Sequence, residues 1–122
     1  MISHLVRASV LAVICATSAA TVAAARTPFD GAWSVLIVTQ SGSCDRAYRY
    51  GVQIVDGQVV YDGGGANFSG RVAPNGAVQV TVSASSGVAN GAGRLNRNSG
   101  RGNWSGRSSG GLCAGYWEAT RR

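Results

Sequence analysis

The sequence predicts an all-β domain: a small antiparallel meander of about eight short strands, closed or nearly closed into a barrel, with one disulfide. Three observations predict it. Strong helix formers are scarce, while Val, Ser, Thr and 18 Gly dominate the 122 residues, a balance that favours strands over helices. Turn signals recur at intervals of roughly ten residues, the spacing of a sandwich or barrel. Between them, β-branched residues alternate with polar ones, as in Val78, Val80 and Val82 against Gln79, Thr81 and Ser83.

Residues 1–25 read as a cleaved secretory signal peptide, and residues 26–122 as one all-β domain. His4 and Arg7 give a weakly basic start, Ala8 to Ala16 an apolar centre, and Ala23-Ala24-Ala25 a small-residue cleavage site before Arg26. Thr17, Ser18 and Thr21 break the apolar run below the roughly 18 residues that a span needs. Ile14, before Cys15, is too large for a lipidation site. The expected location is therefore periplasmic or secreted.

The first strand, Gly31 to Thr39, is the longest apolar run of the expected domain. Trp33, Val35 and Ile37 form one apolar face and Leu36 and Val38 the other, so both faces are expected to be covered. Tyr48, Tyr50, Val52 and Ile54 alternate with Arg49, Gly51 and Gln53 in a half-buried second strand. Asp56-Gly57 is a two-residue hairpin signal, and Gln58 to Tyr61 returns from it. Asp62-Gly63-Gly64-Gly65 turns into Asn67 to Val72, and Pro74-Asn75-Gly76 turns into Val78 to Ser83. Ser85 to Gly91 reads as a soft connection. Gly93 to Arg97 and Arg101 to Gly106 then flank a turn at Asn98-Ser99-Gly100, and Cys113 to Thr120 is the last strand. Short connections pair successive strands, and closing the last strand onto the first removes both exposed edges.

Cys44 and Cys113 are the cysteines left once Cys15 departs with the signal, and an exported chain should join them. A loop that long makes the bond worth roughly 4 kcal/mol in the chain-entropy account. One unit repeats: Asn67-Phe68-Ser69-Gly70-Arg71 returns as Asn103-Trp104-Ser105-Gly106-Arg107. Alternation puts the aromatic and the following Gly on one face, with Asn, Ser and Arg on the other.

Catalytic chemistry has little to work with. The only histidine is His4, so the expected domain lacks the usual general base and a common metal ligand. No serine stands in a G-x-S-x-G turn, and the glycine run at 63–65 precedes neither Lys nor helix. The expectation is a non-enzymatic protein without cofactor or metal. Charge is the positive signal: +6, carried by Arg with no Lys. No acid stands between Asp62 and Glu118, and Arg94, Arg97, Arg101 and Arg107 cluster there with Asn103. Arginine grips carboxylate, sulfate and phosphate bidentately. These five residues are the anion-binding candidates. The expected partner is a polysaccharide, lipid headgroup or acidic protein of the envelope, rather than nucleic acid. Alternatives are a small-ligand carrier and an inhibitor of a secreted hydrolase.

Two resemblances attach to these residues. Gly31-Ala32-Trp33 resembles the G-x-W opening of calycin barrels, which implies a ligand-holding barrel with Arg121 or Arg122 packed over Trp33. The F-D-G-x-W start, Cys44-Asp45-Arg46-Ala47-Tyr48-Arg49-Tyr50 and the Cys113-Ala114-Gly115-Tyr116-Trp117 end resemble a group of small exported proteobacterial proteins. That likeness implies export and carries no activity.

Overall fold

The computed structural model describes residues 26–122, so the signal peptide expected over residues 1–25 lies outside the described residues. Eight strands follow one another around a closed barrel: β1 (Gly31–Ser41), β2 (Ala47–Val55), β3 (Gln58–Val60), β4 (Asn67–Val72), β5 (Ala77–Ala84), β6 (Gly87–Leu95), β7 (Ser99–Ser108) and β8 (Gly111–Arg121). Every neighbour pair is antiparallel. β8 closes onto β1 from Trp33↔Arg121 to Ser41↔Ala114, with a bulge between Thr39 and Ser41. The predicted closure is therefore realised, and the disulfide joins Cys44 to Cys113 beside that seam.

Local chemistry sets the turns. Asp56 and Gly57 both take positive φ, 51° and 80°, the conformation that a tight two-residue hairpin requires. The Asp30 carboxylate accepts hydrogen bonds from the amides of Asp56 (2.8 Å) and Gly57 (3.1 Å), tying this turn to the start of the domain. Gly76 ends the Pro74-Asn75 turn at φ 91°.

Two expectations need correction. The connection expected over Ser85 to Gly91 is mostly strand: β6 begins at Gly87 and ends at Leu95, which leaves Arg97 in the following turn. The inward positions of β6 are Gly87, Ala89, Gly91 and Gly93, so no apolar alternation marks it. Large side chains from other strands occupy that space. Second, β1 lies between β2 and β8 but has no layer over its outer face. Leu36 and Val38 stay half-exposed beside Tyr116 and Arg49.

The interior divides along the barrel axis. Trp33, Val52, Ile54, Val72, Val78, Leu95 and Ala119 are buried around Phe29 at one end. This packed end is sealed by the N-terminal arm and by the C-terminal end of β8. Val35, Ile37, Tyr50, Phe68, Val80 and Trp104 line the other half and are only partly buried. The repeated unit behaves as alternation requires: Phe68, Gly70, Trp104 and Gly106 point inward, and their Asn, Ser and Arg companions point out.

Candidate functional site

Trp33 anchors the packed end, where its indole N–H donates to the Phe29 carbonyl at 2.8 Å. The Arg121 guanidinium lies 4.7 Å from the centre of the Trp33 ring. It also donates to three carbonyls, of Asp30 (2.8 Å), Pro28 (2.7 Å) and Arg97 (2.9 Å). Of the two arginines proposed for this contact, Arg121 makes it, since inward alternation on β8 carries from Trp117 through Ala119 to Arg121. The arm, the β6–β7 turn and the last strand thus meet on one side chain, and this end is shut.

A cavity of about 210 Å³ opens at the other end and reaches down to Trp33, Leu95 and Ala119, among apolar side chains that include Val35, Ile37, Val80, Phe68, Trp104 and Trp117. Glycines make the room. Trp104 faces Gly91 on β6 and Gly115 on β8, and Trp117 faces Gly102 on β7. A Cβ at Gly102 would lie 2.6 Å from the Trp117 indole nitrogen, whereas one at Gly91 would meet nothing closer than 3.6 Å. The Trp104 N–H donates at 3.0 Å to the Val38 carbonyl, reaching across Gly115 to the bulged part of β1.

Four aromatic rings stand where the wall is thinnest. β3 pairs with β4 only at Gln58↔Arg71 and Val59↔Gly70, so the barrel between β2 and β4 is closed above that level by side chains. Tyr50 meets Tyr61 edge to face at 5.4 Å and Phe68 at 5.2 Å, and Tyr61 tilts against Phe68 at 4.7 Å. Tyr48 stacks on Tyr50 at 5.9 Å and donates its hydroxyl to the Asp45 carboxylate. Burial, with the Tyr61 phenol beside it, pushes the Tyr50 hydroxyl above its ordinary 10.0. The hydrogen bond to Asp45 does the same for Tyr48, helped by partial burial. Both stay protonated donors at neutral pH. The disulfide fastens the β1–β2 loop to β8 at this mouth, and Cys44 and Ser108 line it.

No known protein family, curated protein or solved structure matches this chain.

The outer surface reverses the interior. Outward positions on β4 to β7 carry Ser69, Arg71, Gln79, Thr81, Asn90, Asn103 and Ser105, all exposed. A transmembrane barrel shows the opposite alternation, apolar outside and polar within. Among the described residues, no helix is long and apolar enough to cross a membrane. The register places the five anion candidates as follows. Arg94 pairs with Arg101, and Asn103 stands two residues from Arg101 on the same outer face, so these three come together. Arg107 lies about 20 Å along β7 from Arg101, at the cavity end. Arg97 occupies the β6–β7 turn, where its backbone serves Arg121. β6 stops at Leu95, so Arg97 lies beyond the strand and apart from Arg94.

Arg71, Gln79 and Asn90 are not among the anion-binding candidates that the sequence suggests. Arg71 pairs with Gln79, Gln79 with Ala92, and Ala92 with Asn103, an unbroken row across four strands. Arg71 is distant in sequence from the other candidates, and only strand register puts it in one row with Asn103. The repeated N-aromatic-S-G-R unit was the available clue.

Proposed function

We propose that the protein is an exported, non-enzymatic carrier that holds a small apolar molecule inside the barrel. One observation carries this reading: the barrel interior from the mouth down to Trp33 is apolar yet unfilled, over about 210 Å³. An apolar space of that size left without protein atoms gives up packing contacts that a domain of this size needs for its stability. A space of this size suits one or two rings, since an apolar cavity of about 150 Å³ accepts benzene. The aromatic walls favour a planar guest, and the Tyr50 hydroxyl supplies a polar contact near the mouth. The cavity favours the carrier over the inhibitor, for which a protruding rigid loop would be the support. The arginine surface is a separate matter, treated below.

N-phenyl-1-naphthylamine is a suitable probe: its two fused rings match the cavity, and its phenyl group would stand at the open mouth. It should bind saturably at one site per chain, quench fluorescence from Trp104 and Trp117, and raise Tm. Gly91→Leu projects into the cavity from the one inward glycine with room for a Cβ, and should weaken binding roughly tenfold or more while the variant stays folded. Gly91→Ala should retain it. Equal binding by folded Gly91→Leu and the parent would place the probe elsewhere and overturn the reading.

A further inference from the structure

The outer surface of β4 to β7 has no part in holding an interior guest. Across these strands, two rows of outward side chains run perpendicular to the chain direction. One is Ser69, Thr81, Asn90 and Ser105; the other is Arg71, Gln79, Ala92 and Asn103. Successive members stand about 4.8 Å apart. A third row brings Arg94 and Arg101 side by side next to the second. Ala92, the smallest member, therefore sits at a low point between Gln79 and Asn103, with Arg94 two residues along its own strand. Ser69, Arg71, Gln79, Thr81, Asn90 and Ser105 line one shallow concavity together with Ala92 and Asn103. None of these strands carries an acid. The nearest is Glu118 on β8, which pairs with Arg101 and bounds the surface on that side.

We infer that this concavity, together with the Arg94–Arg101 row along its edge, binds an acidic polysaccharide. Carboxylate groups of the chain would be held by Arg71, Arg94 and Arg101, and its hydroxyls by the amides and hydroxyls between them. Three features select this chemistry. Amide and hydroxyl side chains both donate and accept, as sugar hydroxyls do, so a row of them matches a polyol. The planar guanidinium takes a carboxylate through two parallel hydrogen bonds. The two rows also hold no large apolar side chain. A bilayer-docking face would need apolar residues to enter the lipid, and a protein interface would have aromatic anchors at its centre. The exposed Val88 and Leu112 lie off these rows, beside Arg107.

Polygalacturonate, neutral dextran and vesicles rich in phosphatidylglycerol separate the possibilities. The protein should bind polygalacturonate with an affinity that falls steeply with salt, because each neutralised charge releases a counterion. It should not bind dextran. Arg94→Gln with Arg101→Gln should weaken binding roughly tenfold and flatten the salt slope. Asn103→Ala should weaken it a fewfold with the slope unchanged, and Glu118→Gln should tighten it. Arg107→Gln, at the far end of β7, should leave it within about twofold. These positions are exposed, so folding should survive, and circular dichroism with retained N-phenyl-1-naphthylamine binding checks this. That second readout also separates failure here from failure of the carrier reading. If Arg107→Gln weakens binding as much as the double variant, the attraction is diffuse charge and the site is refuted. Tighter binding to the anionic vesicles than to polygalacturonate would refute it equally.

Discussion

Gly91 and Gly102 face inward on adjacent strands, yet their surroundings differ in one decisive respect. A Cβ at Gly91 would sit 3.6 Å from the Trp117 indole nitrogen, ordinary contact, and neither glycine takes a left-handed φ. At Gly102 the same atom would fall 2.6 Å from that nitrogen and 2.7 Å from the Gly93 Cα. Gly91→Ala should therefore be neutral or stabilise by about 0.5 kcal/mol, through the lower entropy of its unfolded chain. Gly102→Ala must displace both Trp117 and the β6 backbone, whose Ala92 carbonyl oxygen would lie closer still, and should cost about 1–3 kcal/mol. Thermal melts should place the two variants roughly 10 °C apart. Equal Tm values would mean that both Trp117 and the β6 backbone yield freely. The sequence shows that glycine is abundant; which glycine is replaceable depends on where the tryptophans reach.

At the scale of elements, the weakest part of the wall is around β3 and the loop that follows it, and the mouth beside it depends on the disulfide. Cys113 is buried while Cys44 stands in the β1–β2 loop, so the bond holds an exposed loop against the barrel rim. The backbone amide of Cys44 points at the Cys113 sulfur, 3.2 Å away. Replacing both cysteines by serine should lower stability by roughly 4 kcal/mol, as expected for closing so long a loop. Hydrogen exchange in the double variant should rise first in residues 42–46, because β1 and β8 remain paired below them. Uniform loss of protection with no early local opening would contradict this placement. The cysteine pairing was legible from the cysteine count and the expected export. The β6 boundary was not, because Gly87 to Gly93 contribute space to the core rather than side chains. A glycine and alanine stretch has no apolar period to read.

The whole molecule is a barrel with one shut end, and Asp30 helps to shut it. Slight burial raises its carboxyl, but the Thr27 hydroxyl and the amides of Asp56 and Gly57 outweigh that and hold it below its ordinary 3.8. A depressed carboxylate contributes stability above its unfolded value, and that contribution is lost as pH falls through the lower folded value. Stability should thus decline below about pH 4 as Asp30 protonates. Asp30→Asn should be less stable at neutral pH and show a shallower decline in acid, measured by urea unfolding from pH 2.5 to 7. An unchanged acid slope would show that this carboxylate does not link the arm to the β2–β3 turn.

The sequence by itself determined the strand class, the Asp56-Gly57 and Pro74-Asn75-Gly76 turns, the cysteine pair and the inward direction of Phe68 and Trp104. Each follows from local preference or from period-two alternation. Closure was legible too, because a meander of short connections brings its last strand back to its first. Only the tertiary structure decided that the interior is packed at one end and open at the other. That outcome depends on which large side chain meets which glycine across the register. Register likewise put Arg71 in one row with Asn103, paired Arg94 with Arg101 in the next, and left Arg97 and Arg107 apart. Nearness along the chain had grouped the arginines differently, because adjacent strands set side chains about 4.8 Å apart, whereas six residues along one strand span about 20 Å.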